Sequence, residues 1–432
     1  FPVGDYEKPE IREIAKKALD HEEANRVPVD FGATCVTGIS VGIVSKLREY
    51  YNLGNKNPVK IIEPFQMLGE VEDDLKAKMG VDFVELAGRE NTFGFKNQNW
   101  KPWELFDGTK VLVPGKFNTI QEKDGSFLQY PEGDTSVSAG ARMPKNGYYF
   151  DTLIRQKPID DNNLNVEDNL EEFKELPDEE LKYFEKEADR LYKNTEFSIV
   201  ANIGGTAFGD IAVVPGPSLK DPKGIRDIEE WYISLITRKS YIFELFSRQS
   251  EVILKNIEGL KQAVSNKIDV LLISDADFGT QRCPFISNDL YRELYKPLHK
   301  KINDWIHKNT TWKTFLHSCG SIEVLIPEFI EAGFDILNPV QVSAEGMDAK
   351  LLKEKYGKKV IFWGGGVDTQ KTLPFGSEKE VADQVQERLK IFSGGGGFVF
   401  NAIHNIQAKT PVENIAAMVE TVKNFKLNSQ GK

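Results

Sequence analysis

The sequence predicts an α/β fold, a (β/α)₈ barrel with a β-rich insertion in its N-terminal third. From residue 165 onward, helical patterns alternate regularly with short apolar runs, as repeated strand–helix units do. These runs contain few polar residues, which indicates strands buried on both faces of a parallel sheet. A doubly wound open sheet is the alternative. It usually serves nucleotide binding, and neither a Walker loop nor a G-x-G-x-x-G segment follows the first strand.

The N-terminal segment contains the first elements of this barrel. Its apolar spacing predicts an amphipathic helix over residues 10–23 and a short strand with its loop over 26–32. Helices are predicted over 41–51 and 70–79, and the next strand over 82–86. We expect one barrel domain over residues 1–432.

The sequence pattern changes between residues 93 and 150. Turn dipeptides recur at Asp107-Gly108 and Asp124-Gly125, separated by alternating apolar and polar residues. This pattern predicts a β-rich insertion, built as a meander on the main body. A lid over the functional site and a structural elaboration are both compatible with it.

The remaining elements follow in strict alternation. The predicted helices cover residues 166–191, 225–260, 288–308, 321–332, 349–355, 377–392 and 411–425. The predicted strands cover residues 197–203, 270–274, 314–316, 335–338, 360–363 and 398–401.

Composition excludes some classes of function. The 432 residues are 40% hydrophobic and 28% charged, which is ordinary for a globular protein, and the net charge is −11. A negative chain without a basic cluster argues against nucleic acid as a partner. No apolar run is long enough to span a bilayer, so we expect no membrane partner. Three scattered cysteines are too few for a disulfide framework, which favours a cytoplasmic location.

The most informative segment is residues 314–320, Thr-Phe-Leu-His-Ser-Cys-Gly. In a strand, side chains at positions i and i+2 point to the same face. His317 and Cys319 therefore converge at the carboxyl end of a strand, where they provide half of a zinc site. A buried histidine beside a small apolar cysteine is the alternative interpretation.

Polar side chains follow five consecutive predicted strands. In a barrel these strand ends meet at one rim, where catalytic groups lie. The candidates are Asp277, Gln281, Asn338, Gln341, Asp368, Gln370 and Asn401. A single Asp or Asn after a strand is often a helix cap, but five such ends in a row favour a site. We expect Asp277, Gln341 and Asp368 to act in catalysis, and the other four to bind substrate.

A third metal ligand is available on the loop after the last strand. The last strand of a barrel closes back toward the earlier ones, so His404 faces the same mouth as His317. A His-Cys-His set with one open position is a plausible catalytic zinc shell. Cys283 is a rival third ligand, and His404 could alternatively cap the final helix.

Five segments together resemble the uroporphyrinogen decarboxylase superfamily. They are residues 17–23 (KALDHEE), 26–29 (RVPV), 286–297 (ISNDLYRELYKP), 317–320 (HSCG) and 410–414 (TPVEN). The resemblance covers nearly the whole chain outside the insertion, and it implies a (β/α)₈ barrel.

That superfamily has two functional branches. Its decarboxylases act on a tetrapyrrole without metal and carry an arginine-rich N-terminal stretch, whereas residues 30–35 here contain no arginine. Its zinc methyltransferases carry H-x-C at the strand end, matching His317 and Cys319, and a later cysteine as third ligand. This chain has His404 at the matching place, and imidazole is also a zinc ligand.

The resemblance implies methyl transfer within an O-demethylase system. Zinc would activate a small methylated donor such as an aromatic methyl ether, and the methyl group would pass to the Co(I) of a corrinoid. Because the sequence has no D-x-H-x-x-G segment, the corrinoid would arrive on a partner protein. A metal-free decarboxylase and a non-catalytic corrinoid or metal binder are the two alternatives.

Overall fold

The computed structural model describes residues 9–54, 58–204 and 208–427. The helices are α1 Pro9–Leu19, α2 Val41–Tyr50, α3 Asp73–Met79, α4 Asp178–Asn194, α5 Ile228–Thr237, α6 Lys239–Val264, α7 Asn288–Leu294, α8 Lys296–Asn309, α9 Ile326–Glu331, α10 Ala349–Tyr356, α11 Thr372–Phe375, α12 Glu378–Phe392 and α13 Val412–Asn424. The strands are β1 Val59–Glu63, β2 Leu68–Gly69, β3 Phe83–Ala87, β4 Lys101–Glu104, β5 Lys110–Val113, β6 Thr119–Gln121, β7 Phe127–Gln129, β8 Ala141–Met143, β9 Asp151–Thr152, β10 Ser198–Asn202, β11 Val270–Ser274, β12 Lys313–His317, β13 Ile336–Asn338, β14 Ile361–Trp363 and β15 Phe398–Val399.

Seven parallel strands form the central sheet in the order β15-β14-β13-β12-β11-β10-β3. Residues 28–30 close it, because they bond to the strands at both of its edges. The amide of Asp30 donates to the carbonyl of Phe400 at 2.9 Å, and the amide of Asp82 donates to the carbonyl of Val29 at 2.8 Å. The sheet is therefore an eight-position barrel, which confirms the predicted (β/α)₈ fold.

The β-rich region is larger than the sequence predicts. It contains two four-stranded sheets, with orders β2-β1-β5-β4 and β6-β7-β8-β9. The second is an antiparallel meander within residues 93–152. The first recruits β1 and β2, which precede residue 93, and β1 pairs in parallel with β5. Pairing partners so distant in sequence leave no local pattern, so the prediction missed β1 and β2.

Three predicted helices are interrupted. Residues 166–169 form a 3₁₀ turn, and α4 begins only after Pro177, whose ring cannot sit inside a helix. The predicted 288–308 helix divides at Tyr295 because Pro297 has no amide hydrogen for the preceding turn. The predicted 225–260 helix divides at Arg238.

The barrel interior has an apolar floor. Its members on the strands are Phe83, Val200, Val270, Leu272, Phe315, Ile336, Ile361, Trp363 and Val399. Because strand side chains alternate, the residue two positions beyond a floor residue also faces inward, one layer higher. That layer contains Glu85, Asn202, His317, Asn338 and Asn401. The fold thus places polar groups above a closed apolar base, at the carboxyl end of the strands.

Candidate metal centre

His317, Cys319 and His404 meet at this end of the barrel. One ligand atom from each lies within 4.8 Å of the other two. The Sγ of Cys319 lies 3.3 Å from the Nε2 of His317, and the two imidazole rings have centroids 5.5 Å apart. The backbone bond from Ile403 to the carbonyl of Val367 fixes the loop that carries His404. Two imidazoles and a thiol could hold a zinc ion and leave a fourth position open.

The imidazole of His317 is held in one orientation. Its Nδ1 lies 2.5 Å from the Oδ1 of Asn338, while the Nδ2 of Asn338 donates to the carbonyl of Trp363 at 2.8 Å. Since that second bond fixes which end of the amide is oxygen, Nδ1 of His317 must carry the proton. Nε2 therefore presents its lone pair toward Cys319 and His404, as a metal ligand requires.

The loop after β12 places Cys319 through backbone contacts. The amide of Cys319 donates to Oδ1 of Asp277 at 2.7 Å, and the amide of Gly320 donates to Oε1 of Gln341 at 2.7 Å. Gly320 has φ +88°, and a Cβ there would lie 2.3 Å from the backbone of Gly279. The turn therefore requires glycine both for its conformation and for its close packing.

The protonation of the ligands fits metal binding. Burial and then the neighbouring imidazole of His317 lower the pKa of His404 to about 3, so the imidazole of His404 is neutral. Burial and the nearby carboxylate of Asp277 raise the pKa of the Cys319 thiol. Without a cation this thiol keeps its proton, and a bound zinc ion would displace that proton.

Carboxyl groups that the sequence analysis did not select line the same mouth. Burial and then the charge of Asp275 raise the pKa of Asp210, and burial raises the pKa of Asp275. Burial raises the pKa of Glu85 to about 8. The thiol of Cys35 faces all three of these carboxyls. Glu85 stands between the apolar residues Val84 and Leu86 in β3, and this local pattern does not by itself distinguish an inward-facing acid from one that faces solvent.

The predicted site residues divide into two groups. We call His317, Cys319 and His404 the metal triad. The first group contacts His317 or the backbone of the turn that carries Cys319, and it contains Asp277, Asn338 and Gln341. Among the described residues, the other four predicted ones form no hydrogen bond with the triad. Gln281 and Gln370 are exposed. Asp368 accepts hydrogen bonds from the amides of Gln370 and Lys371, and the side-chain amide of Asn401 donates to the carbonyl of Asp30.

Cys283 lies outside the triad. Its side chain is exposed, and its Sγ is 3.7 Å from the hydroxyl of Thr280. His404 therefore completes the group of three in the part of the chain that the structure describes.

The model of the uroporphyrinogen decarboxylase (URO-D) family matches residues 155–425, well over half of the chain. The chain belongs to the URO-D family. The match includes β10 to β15 and all three triad residues, whereas residues 93–150 of the insertion precede it. The superfamily resemblance noted in the sequence is thus confirmed.

Curated URO-D relatives match over a short segment. Uroporphyrinogen decarboxylase of Coxiella burnetii is 30% identical over 78 residues, which is 18% of this chain and 21% of that enzyme. The match thus spans about a fifth of that relative's length.

Among solved structures, a methyltransferase from Methanosarcina mazei superposes with a TM-score of 0.53 and 16% identity, covering 96% of this chain and 98% of that one. It shares the fold of this URO-D chain. A B12-independent methionine synthase from Shewanella sp. W3-18-1 superposes with a TM-score of 0.34 and 12% identity, covering 81% and 82% of the two chains. A superposition with so low a TM-score does not establish a shared fold.

No helix within the described residues is both long enough and apolar enough to cross a membrane.

Proposed function

We propose that this protein is a zinc-dependent methyltransferase that moves a methyl group from a small methylated donor to the Co(I) corrinoid of a partner protein. The main support for this proposal is that His317, Cys319 and His404 converge at the barrel mouth. Three neutral or thiolate donors with one open position suit a catalytic zinc ion. The URO-D fold supports an enzyme with its chemistry at this end of the strands.

A bound zinc ion supplies Lewis-acid polarisation of the donor heteroatom, which makes that atom a better leaving group. The chain's own residues prepare the site for this. Asn338 keeps the lone pair of His317 directed inward, and Asp277 and Gln341 hold the backbone of the turn that carries Cys319. The apolar floor closes the barrel from below and excludes water from that side.

The lining of the mouth bears on the choice of donor. Glu85, Asp210 and Asp275 present carboxyl groups, and His317 is the sole basic group among the influences on their pKa values. Such a lining disfavours a polycarboxylate substrate, because its described residues offer no cationic side chain besides His317 to pair with the substrate's charges, and burying unpaired charges is costly. A neutral methoxylated aromatic compound needs no such partner. This argues for demethylation over decarboxylation of a porphyrin precursor.

The methyl acceptor must enter from outside the chain. The sequence has no D-x-H-x-x-G segment, and the triad lies at an end of the barrel where a partner domain can approach. We therefore assign the corrinoid to a separate protein that docks over the mouth.

The experiment is a methyl-transfer assay with zinc-loaded protein, a reduced corrinoid protein and a panel of methoxybenzenes. The visible spectrum of the corrinoid reports conversion of Co(I) to its methylated form. We expect transfer with wild type and with Cys283→Ser, and loss of at least about 10²-fold in Cys319→Ser, since the metal's contribution disappears. Decarboxylation of a porphyrinogen instead, or tight corrinoid binding without turnover, would overturn the proposal.

A further inference from the structure

Glu85 is an acidic residue in the middle of a barrel strand. It lies between Val84 and Leu86 in β3, two residues beyond Phe83 of the apolar floor. Strand alternation therefore points its side chain into the barrel, in the same layer as His317. The side chain is half-buried, so it reaches the space at the mouth.

Burial and acidic neighbours favour the protonated form of Glu85, against a hydrogen bond from Asn202 that favours the carboxylate. Asn202 forms a side-chain hydrogen bond with it. The Oδ1 of Asn202 accepts from the amide of Gly204 at 3.0 Å, so its Nδ2 is the atom that donates to Glu85. The titratable groups that face Glu85 are Asp30, Glu63 and the Cys35 thiol, and none of them is basic. Burial and these acidic neighbours raise the pKa of Glu85 to about 8.

Two neighbouring carboxyls differ from Glu85 in their bonding. Both oxygens of Asp30 accept hydrogen bonds, from the amide of Ala33 and from Nε1 of Trp363. Both oxygens of Glu63 accept backbone amide hydrogen bonds, from residues 65 and 66. In these two acids, both carboxylate oxygens are therefore occupied by hydrogen bonds within the protein. For Glu85 the structure shows a hydrogen bond with the side chain of Asn202, and none from a backbone amide within the described residues.

The strand order places Glu85 on the same rim of the barrel as the metal triad. In the closed barrel, β3 lies three positions from β12, which carries His317. It lies two positions from β15, which leads to His404, with residues 28–30 between them. A small donor held by the metal would therefore occupy the space between the triad and Glu85.

We infer that Glu85 donates a proton to the leaving oxygen of the methyl donor. This inference rests on the proposed methyl transfer. The methyl carbon–oxygen bond breaks and its electron pair stays on oxygen, while the corrinoid Co(I) of the partner supplies the pair for the new bond to the methyl group. The Glu85 proton then converts the leaving alkoxide or phenolate into a neutral alcohol or phenol, and Glu85 becomes a carboxylate.

The test compares donors whose leaving groups differ in basicity. We expect Glu85→Gln to lower kcat/KM by about 10²-fold for methoxybenzene, because general acid catalysis is worth roughly that much. For a nitro-substituted methoxybenzene, whose phenolate needs no proton, we expect a loss below about threefold by the same principle. Glu63→Gln is the matched control, and we expect it to affect both donors equally.

A second measurement does not depend on turnover. Infrared difference spectra of the zinc-loaded protein should show a protonated carboxyl band at neutral pH that titrates near pH 8. Other buried carboxyls contribute bands of their own, so the signal of Glu85 is the component near pH 8 that is lost in Glu85→Gln and kept in Glu63→Gln. A Glu85→Gln variant that keeps its metal but loses both donors equally would contradict the inference, as would a missing carboxyl band.

The failure of each proposal has its own signature. If wild-type protein transfers no methyl group from either donor, the proposed function fails. If wild type transfers methyl groups from both donors and Glu85→Gln does so equally well, the proposed function stands and the role of Glu85 is wrong.

Discussion

The Nδ1 of His317 lies 2.5 Å from the Oδ1 of Asn338, and the two residues are register partners in the neighbouring strands β12 and β13. Asn338 is fully buried and its amide is fixed by the carbonyl of Trp363. A backbone carbonyl on β14 thus determines which nitrogen of a histidine on β12 is free to bind a metal.

Removing this support should weaken metal binding. We expect Asn338→Ala to reduce zinc affinity by about 10- to 100-fold, because His317 loses both its orientation and its tautomer. Competition with a chromophoric chelator measures the change. The control is Asn414→Ala, which removes a buried amide that binds the carbonyls of Leu373 and Gly376. We expect it to lower stability while zinc affinity stays unchanged; equal zinc affinity in wild type and Asn338→Ala would contradict this role.

The turn that carries Cys319 should not tolerate a side chain. Gly320→Ala combines a left-handed φ of +88° with a Cβ 2.3 Å from the backbone of Gly279. Gly346→Ala has a similar φ of +77° and no atom within 4 Å. We expect Gly346→Ala to cost about 1–2 kcal/mol of unfolding free energy from backbone strain alone.

Gly320→Ala should cost more than Gly346→Ala and should also lower zinc affinity, since the backbone of the turn must move. Chemical denaturation and zinc titration of both variants check this. Equal stability of the two variants, with zinc binding retained, would show that the turn adapts.

The pair of His307 and Asp335 should make stability depend on pH. Their side chains are 2.8 Å apart, and this bond raises the pKa of His307 above its ordinary value of 6.5. Burial opposes ionisation of Asp335, but the bonds from His307 and the amide of Thr314 outweigh it and lower the pKa of Asp335. The contribution from His307 is therefore complete below pH 6.5 and is lost as pH rises through its raised folded-state pKa.

We expect the difference in unfolding free energy between wild type and His307→Gln to be larger at acidic than at alkaline pH. Denaturant titrations in steps between about pH 5.5 and 8.5, around the ordinary histidine pKa, measure it. In an Asp335→Asn background the extra stabilisation at acidic pH should disappear, because the bond that raises the pKa of His307 is gone. A constant difference in the wild-type background would show that the pair is not ionic.

Local patterns were sufficient to predict that His317, Cys319 and His404 converge. His317 and Cys319 are two residues apart at a strand end, so alternation alone predicts that they converge. His404 follows the last strand, and barrel closure brings that strand back to the first. Both arguments need only the order of the elements along the chain.

The contacts that the structure gives the other polar residues were not predicted from the sequence. Asn338 was expected to bind substrate, but its two amide contacts are with His317 and Trp363. Asp368 looked like a catalytic carboxylate, although in the structure it accepts amide bonds from its own turn. Glu85 was overlooked because the charged residue of a half-polar strand commonly faces solvent, and only the closed barrel shows that it faces inward.

We propose that the triad binds a catalytic metal, and metal analysis of purified wild type, Cys319→Ser, His404→Gln and Cys283→Ser should detect it. We predict about one zinc per chain in wild type and in Cys283→Ser, and little or none in Cys319→Ser and His404→Gln, because a structural or catalytic shell needs at least three protein ligands. Equal zinc in all four proteins, or no zinc in wild type after growth and purification with added zinc, would contradict the claim.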